Sequence, residues 1–324
     1  MKAVLCTRHG PAEALEVVTL PDPDPGPGEV VVDIAAVGLN FFDTLIIQNR
    51  YQVKPELPFS PGGEFSGHVA ALGAGVEGLE VGDAVCGRLN FGAAREKLAV
   101  RADALVRLPP QMDLVKAAGL IITYGTSAFA LDERGGLKSG ETLAVLGAAG
   151  GVGLAAVELG KAMGARVIAC ASSPDKVAFA IAHGADAGLD YSREDLKAGL
   201  KAFGGAGGID MVFDPVGGSL SEPALRALAP GGRLMVVGFA AGEIPKIALN
   251  LLMLKNCDAR GVIFGNYAAA HPEWQRRLVA QLVDHAVAGR ISAHVDATFP
   301  LADCARALGE IAGRRVRGKV VLTT

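Results

Sequence analysis

The chain has 324 residues, a length that corresponds to about two domains at roughly 150 residues per domain. Its hydrophobic fraction of 50%, its charged fraction of 20% and its 43 glycines exclude a disordered or fibrous protein. The net charge of −3, from 31 basic and 34 acidic side chains, gives no electrostatic reason to expect binding to nucleic acid or to an anionic membrane.

The N-terminus and the cysteines bear on the cellular compartment. Arg8 follows too few apolar residues for the core of a secretory signal peptide, and the apolar stretch 143–157 is too short and too rich in glycine to span a bilayer. Five scattered cysteines without CxxC spacing argue against a disulfide framework and a zinc knuckle. We therefore expect a cytoplasmic protein without a membrane partner.

Before about residue 120 the sequence predicts a β-rich domain. Short runs of β-branched residues alternate with turn-forming clusters, such as the proline- and glycine-rich segment 21–28. The predicted strands are Lys2–Leu5, Val30–Ala36, Phe65–Leu72, Ala84–Cys86 and Lys97–Val100.

From Gly140 onward, strands alternate with helices, which predicts a doubly wound parallel sheet covered on both faces. One helix spans Val152–Met163 and ends at Gly164, and the next begins after Ser173 with proline in its first position. The predicted strands are Thr142–Leu146, Arg166–Cys170, Ala187–Leu189, Ile209–Phe213, Arg233–Val237 and Ala259–Phe264.

The C-terminal segment has a different pattern. The pattern predicts a strand over Val295–Phe299, a helix over Leu301–Ile311 and a strand over Lys319–Leu322. This segment would not extend the parallel sheet. We assign it to the first domain, so that one domain comprises residues 1–122 with 267–324 and the other residues 123–266. We expect the active site in the cleft between them.

The glycine-rich turn after the first parallel strand predicts a dinucleotide site. Glycines at a strand tip and at the start of a helix let backbone N–H groups and the helix dipole meet a pyrophosphate, although a merely tight strand–helix turn would show the same residues. The expected contacts are Gly147, Ala149, Gly150, Gly151, Val152 and Gly153.

The tip of the second parallel strand indicates which dinucleotide is bound. NAD-binding sites carry a carboxylate there, whereas this strand is followed by Ser172 and Ser173. These hydroxyls, together with Lys176 in the next helix, predict a site for the 2′-phosphate of NADPH. Ser173 also suits the N-cap of that helix, and both roles can hold at once.

Residues after the later parallel strands are further candidates, because ligands bind at the carboxyl edge of such sheets. Tyr191 would flank the adenosine, and Gly238 and Phe239 the nicotinamide. Ordinary loop packing is the alternative for each of them.

Several segments in fixed order resemble the medium-chain dehydrogenase/reductase superfamily, in its zinc-free quinone oxidoreductase (zeta-crystallin-like) branch. The resemblance covers essentially the whole chain and implies a GroES-like β-domain, an NADPH-binding Rossmann domain, and a dimer or tetramer built partly by the strand near 259–264. The segments are GEVVV at 28–32, GLNFFD at 38–43, PGGEFSG at 61–67, VGDAV at 81–85, TYGT at 123–126, the glycine turn at 147–153 and GKVVL at 318–322.

The resemblance also bears on zinc. Zinc-dependent relatives have cysteine where this chain has Asn40 and histidine where it has Gly63, so that only Glu64 remains. One carboxylate cannot hold a catalytic zinc that needs about three protein ligands. We therefore expect no metal, and alcohol oxidation is disfavoured because no Lewis acid would help to remove the hydroxyl proton.

The resemblance implies three catalytic candidates. Asn40 would line the nicotinamide pocket and donate to a developing oxyanion, or be a turn residue. Tyr51 would protonate an enolate carbon or anchor substrate. Thr126 would lie near the nicotinamide carboxamide, or bond its own helix backbone. Asp43 follows Asn40 on the same face of a short helix and would stabilise that helix.

A basic run comprises Arg314, Arg315, Arg317 and Lys319. A solvated loop is the ordinary interpretation of such a run. The functional alternative is that Arg314 or a neighbour contacts phosphates of NADPH or of a coenzyme A substrate.

Three functions fit these observations. The first is an NADPH-dependent quinone reductase, with a small-molecule electron acceptor as its partner. The second is a reductase of activated C=C bonds, such as enones or acryloyl-CoA. The third is a non-catalytic NADPH-binding protein.

Overall fold

A computed structural model describes residues 1–324, which form fifteen strands and eleven α-helices. The strands are β1 (Lys2–Leu5), β2 (Glu16–Thr19), β3 (Glu29–Leu39), β4 (Glu64–Leu72), β5 (Ala84–Arg88), β6 (Lys97–Arg101), β7 (Leu105–Arg107), β8 (Thr142–Leu146), β9 (Arg166–Ala171), β10 (Ala187–Asp190), β11 (Ile209–Asp214), β12 (Leu228–Val236), β13 (Asp258–Gly261), β14 (Val295–Pro300) and β15 (Lys319–Thr323).

The helices vary from one turn to more than four. They are α1 (Phe41–Ile46), α2 (Leu114–Ala118), α3 (Ile121–Phe129), α4 (Gly151–Ala162), α5 (Pro174–Ala182), α6 (Leu196–Gly204), α7 (Ser221–Ala227), α8 (Asn250–Lys255), α9 (Phe264–Ala270), α10 (Pro272–Val287) and α11 (Cys304–Ala312). No helix combines the length and the apolar character that crossing a bilayer requires.

The first of two compact units comprises Met1–Ile122, Ala268–Gly289 and Ala293–Thr324. Its main sheet has the order β14-β15-β3-β4-β5-β7, and β6 also pairs with β3. The strand β3 is central because its run of valine, isoleucine and alanine is almost wholly buried and pairs with three other strands. The C-terminal strand β15 lies antiparallel to it, which places Lys319 beside the end of β3.

The second unit comprises Thr123–Tyr267 and Arg290–Ser292. Its six-stranded sheet has the order β10-β9-β8-β11-β12-β13, and every pair of neighbours is parallel. The order reverses between β8 and β11, so the carboxyl ends of these two strands form the switch point at which doubly wound sheets bind ligands. The fold class predicted from the sequence is confirmed.

The predicted strands of both units match observed strands, with shifts at their ends. The strand predicted at Arg233–Val237 already begins at Leu228, and the one predicted at Ala259–Phe264 is too long, because β13 ends at Gly261 and Phe264 begins α9 instead. Phe264 packs against Phe129, and a Cβ at Gly125 would lie 2.7 Å from its ring. The apolar side chain of Phe264, which predicted a strand, therefore packs between helices instead. The sequence patterns did not predict β2 or the long helix α10.

A buried carboxylate anchors the segment 290–292 to the second unit. Glu158 lies in the middle of α4, and its Oε2 accepts hydrogen bonds from the Tyr124 hydroxyl and from the Ser292 N–H, both at 2.8 Å. Its Oε1 accepts a bond from the Ser292 hydroxyl. Because a buried carboxylate without partners is costly, these three bonds explain why an acidic residue occupies this helix.

Replacing Glu158 tests this anchor. Glu158→Ala removes three hydrogen bonds, one from the Tyr124 hydroxyl and two from Ser292, each worth about 1 kcal/mol or more where a charged group accepts it. We expect faster deuterium exchange at residues 290–292, measured by mass spectrometry. Glu222→Ala, which removes a half-exposed partner of Arg226, is the control and should leave this exchange unchanged. Equal exchange in both variants would show that Glu158 does not hold the segment.

Candidate active site

The turn between β8 and α4 contains two glycines whose positions disfavour any side chain. Gly147 has φ +60°, a conformation that favours glycine, and a Cβ at Gly153 would lie 2.2 Å from the Gly147 carbonyl oxygen. A Cβ at Gly150 would meet only that same oxygen, at 3.4 Å, so the space beside it is open. The first N–H groups of α4, at Gly151, Val152 and Gly153, have no acceptor within the helix, and such a helix end binds anions.

The turn after β9 carries the residues predicted to meet a 2′-phosphate. Ser172 is exposed, whereas the Ser173 hydroxyl accepts a hydrogen bond from the Lys176 N–H at 3.3 Å and caps α5. The predicted N-cap role of Ser173 is therefore present. Tyr191 follows the neighbouring strand β10, and its N–H donates to the Ala171 carbonyl.

The turn after β11 is held by Asp214, whose role the sequence analysis missed. The Asp214 Oδ1 accepts bonds from the N–H groups of Val216 and Gly217, at 2.9 and 2.8 Å, and its Oδ2 accepts one from the Ser221 hydroxyl. A Cβ at Gly147 would contact Val216, so the turns after β8 and β11 are adjacent. A carboxylate followed by Pro-Val-Gly-Gly at a strand end was the available signal.

Gly238 and Phe239 follow β12 at this same edge of the sheet. The Gly238 N–H donates to the Asp214 carbonyl at 3.3 Å, and a Cβ at Gly217 would lie 2.7 Å from the Phe239 ring. All the residues predicted to bind cofactor in the second unit therefore lie at the carboxyl ends of its strands.

In the first unit a buried ion pair crosses the end of β3. The Lys319 Nζ donates to the Glu64 Oε1 at 2.6 Å, to the Asn40 Oδ1 at 2.8 Å and to the Leu39 carbonyl at 2.7 Å. The exposed fractions are 4% for Lys319, 0% for Glu64 and 8% for Asn40. Lys319 is thus not part of a solvated basic loop, which corrects that interpretation for this residue, because burial and pairing with Glu64 remove it from water.

The partners of this ion pair complete a closed network. The Asn40 Nδ2 donates to the Glu64 Oε1 at 3.0 Å and to the Gly38 carbonyl at 3.4 Å. The Glu64 Oε2 accepts a bond from the Ile122 N–H at 2.8 Å. Each oxygen of Glu64 and the ammonium of Lys319 therefore has partners, as buried charges require.

A second buried carboxyl group lies beside this network. Asp43 Oδ2 accepts a bond from the Asn40 N–H at 2.7 Å, and its Oδ1 accepts one from the Gly62 N–H at 3.0 Å. Burial raises the pKa of Asp43 to about 7, although these two bonds and the charge of Lys319 act to lower it. Asp43 stabilises the start of α1, as predicted, and also binds the turn at Gly62.

Comparisons with known proteins identify the family. A model described as the alcohol dehydrogenase GroES-like domain matches residues 26–110, and one described as zinc-binding dehydrogenase matches residues 151–284. The chain is 37% identical over 99% of its length to the quinone oxidoreductase-like protein 2 of Rattus norvegicus, of which it covers 92%. The chain belongs to the quinone oxidoreductase family of medium-chain dehydrogenases/reductases.

Two further members of this family match the chain over almost their whole length. The quinone oxidoreductase of Pseudomonas aeruginosa is 34% identical over 99% of both chains. The crystal structure of Escherichia coli quinone oxidoreductase complexed with NADPH superposes with a TM-score of 0.94, with 28% identity and complete coverage of both chains. The family recognised from the sequence segments is confirmed.

The name of one family model implies zinc, and the residues of this chain do not fit that metal. No three His, Cys, Asp or Glu side chains lie close enough together to hold an ion. At Gly63 a Cβ would lie 2.6 Å from the Phe42 ring, so this ring occupies the space that a ligating side chain would need. Glu64 is bound by the Lys319 ammonium, a positive charge that repels a cation.

The remaining catalytic candidates, Tyr51 and Thr126, and the predicted phosphate contact Arg314 lie in different parts of the chain. The Tyr51 ring stacks on Phe42 with centroids 5.4 Å apart, and burial, with the negative charge of Asp43, raises the pKa of its phenol. Thr126 is half-buried in α3, within the second unit. Arg314 is exposed in the first unit and has a φ of +55°. The roles predicted for these residues stay predictions.

The raised pKa of Asp43 predicts a specific pH dependence of stability. Folding raises this pKa from 3.8, so the folded state binds the proton more tightly, and the resulting stability is present below about pH 4 and is lost as the pH rises to about 7. Between about pH 5 and about pH 8 the urea-unfolding midpoint should therefore fall more steeply in the parent than in Asp43→Asn, which cannot ionise.

Asp33→Asn is the matched control, because Asp33 is an exposed aspartate of the same unit. It should keep the slope of the parent. Equal slopes in the parent and in Asp43→Asn would contradict the assignment of this pH dependence to Asp43.

Proposed function

We propose that the protein is an NADPH-dependent oxidoreductase that transfers hydride to a quinone without a metal ion. The observation that carries the proposal is the ion pair of Lys319 with Glu64. It occupies the one carboxylate that a metal could use, so the acceptor must be one that needs no Lewis acid. A quinone is already electron-poor and meets this condition.

The second unit offers a cradle that fits NADPH. The pyrophosphate would lie against Gly147, Ala149, Gly150 and the first turn of α4. The 2′-phosphate would lie near Ser172 and Lys176, because serines and not a carboxylate stand directly at the tip of β9, and Asp175 in the first turn of α5 complements the dipole of that helix. When bound, NADPH supplies the hydride. The relative from Escherichia coli is a complex with this cofactor, which supports the choice.

The first unit offers groups that act on the acceptor. The Asn40 carboxamide would donate a hydrogen bond to the acceptor oxygen as negative charge develops there, and a quinone takes its proton from water. Within the second unit, Thr126 would contact the nicotinamide carboxamide. In the first unit, Arg314 would contact a cofactor phosphate. We further propose a homodimer through β13, an outer strand of its sheet that pairs with β12 on one side only.

A second candidate function is the reduction of activated C=C bonds. The observation that favours it is Tyr51, whose phenol stacks on Phe42, carries a proton at neutral pH and would supply it to an enolate carbon. A panel of quinones, enones and enoyl thioesters with NADPH oxidation as readout tests both functions. Absence of turnover with every acceptor while NADPH binds would favour a non-catalytic protein.

Tyr51→Phe separates the two activities. Loss of a proton donor lowers the rate of C=C reduction by about 100-fold or more, whereas quinone reduction should change little because water supplies that proton. Steady-state rates with one quinone and one enone give the comparison. Phe42→Leu removes the ring stacked on Tyr51 and controls for packing. An equal loss for both acceptors would contradict a proton-donor role.

Ser172→Asp tests the cofactor assignment. A carboxylate at this exposed position would repel the 2′-phosphate and accept hydrogen bonds from the ribose hydroxyls of NADH. We expect NADPH affinity to fall by about 10-fold or more and NADH affinity to rise, measured by fluorescence titration, from a repulsion worth roughly 1.4 kcal/mol or more. A parent protein that binds NADH more tightly than NADPH would overturn the assignment.

A further inference from the structure

The carboxamide of Asn40 has one orientation, and charge dictates it. The Lys319 ammonium can only donate hydrogen bonds, so the group that faces it at 2.8 Å must be the carboxamide oxygen. The Nδ2 consequently faces the Glu64 carboxylate, which can only accept, at 3.0 Å. The carboxamide oxygen of Asn40 therefore faces the positive charge of Lys319, and its nitrogen faces the negative charge of Glu64.

The backbone makes room for this arrangement. The strands β15, β3 and β4 are neighbours, with Val320 opposite Leu39 and Gly38 opposite Glu64. A Cβ at Gly38 would lie 2.8 Å from the Glu64 Cγ, and one at Gly119 would lie 3.1 Å from the Lys319 Cγ. Glycines on both sides thus allow the two charged side chains to meet under the end of β3.

One hydrogen of the Asn40 Nδ2 is only weakly used. Its acceptor is the Gly38 carbonyl at 3.4 Å, beyond the usual range of about 2.7–3.2 Å. The ammonium on the carboxamide oxygen draws electron density from the nitrogen, which makes this N–H a stronger donor. The network therefore prepares a hydrogen-bond donor for a negative charge.

We propose that Lys319 and Glu64 are positioning residues, which fix and polarise the Asn40 carboxamide so that its second Nδ2 hydrogen binds the oxygen of the electron acceptor. The inference rests on the proposed function. In that reaction the hydride brings two electrons to the acceptor, its oxygen becomes negative, and a proton from water completes the hydroquinone. The N–H bonds of Asn40 stay intact throughout.

The test separates positioning from simple support of the fold. Removing one charge alone would leave the other buried and unpaired, so both are neutralised with similar volumes in Glu64→Gln/Lys319→Met. Glu141→Gln/Arg233→Met is the matched control, since this partly buried pair, 2.6 Å apart, lies at the amino-terminal end of β8. Urea-unfolding midpoints show whether each variant is folded.

We expect kcat for benzoquinone reduction by NADPH to fall by about 10-fold or more in Glu64→Gln/Lys319→Met, with little change in the KM for NADPH. The control pair should keep the kcat of the parent. In an Asn40→Ala background the same neutralisation should lower kcat by less than about 2-fold, because its effect on the reaction depends on the Asn40 side chain. An undiminished kcat in the folded variant, or the same loss in the Asn40→Ala background, would overturn the proposal.

A readout independent of activity separates this inference from the proposed function. The side-chain ¹H–¹⁵N signals of Asn40, assigned by their loss in Asn40→Ala, should move toward the positions of a free amide in Glu64→Gln/Lys319→Met. Unmoved signals would refute the fixed carboxamide. The Asn40 signals could move as expected while the parent protein reduces no acceptor. That result would refute the proposed function, and with it the inference that the Asn40 carboxamide binds the acceptor oxygen.

If the neutral pair does not fold, Lys319→Arg serves instead. It keeps the positive charge but replaces the point-like ammonium by a planar guanidinium. The Asn40 signals should then shift, and kcat should fall while the KM for NADPH is kept. If the Asn40 signals and kcat of Lys319→Arg both equal those of the parent, the proposal is overturned.

Discussion

The buried ion pair of Lys319 with Glu64 constrains much of the first unit. Removing two charges from water costs several kcal/mol for each ion, and this cost is offset only where every donor and acceptor is used. Here the ammonium makes three bonds and the carboxylate accepts three, with partners from β3, β4, β15 and the start of α3. The pair therefore fixes how the last strand of the chain docks onto the central strand.

The two units use different sources of electrostatic potential. In the second unit the potential comes from backbone N–H groups at the start of α4, beside glycines that leave the ends of the strands open. In the first unit it comes from desolvated side chains whose charges are matched locally. The first arrangement suits a phosphate that arrives with its own charge, and the second suits a charge that develops during a reaction.

Sequence patterns predicted the parallel sheet well, because strands buried on both faces are continuous apolar runs such as Leu143–Leu146. The glycine turn was predicted equally well, because its glycines lie close to one another in the sequence. The helix α10 was missed although its boundary signals were present, with Pro272 at its first position and Gly289 just after its end. Phe264 was misassigned because an apolar residue after a strand does not reveal whether its partner is a strand or a helix.

The network around Asn40 could be predicted only in part. Asn40, Asp43 and Glu64 were identified from the sequence segments 38–43 and 61–67. They could not be paired with Lys319, which follows Glu64 by 255 residues. No local pattern links such positions. One signal was available: a lysine that opens the apolar run Val320–Leu322 at the end of the chain must either reach solvent or find a carboxylate.

The raised pKa of Asp43 follows from the same network. Two buried carboxyl groups, Asp43 and Glu64, share the surroundings of a single ammonium, and Glu64 holds that ammonium directly at 2.6 Å. Since one positive charge can fully compensate only one negative charge, the carboxyl group without a direct ion pair retains the desolvation penalty. Its two backbone N–H bonds reduce this penalty without cancelling it. The raised pKa of Asp43 is therefore a consequence of Lys319 pairing directly with Glu64.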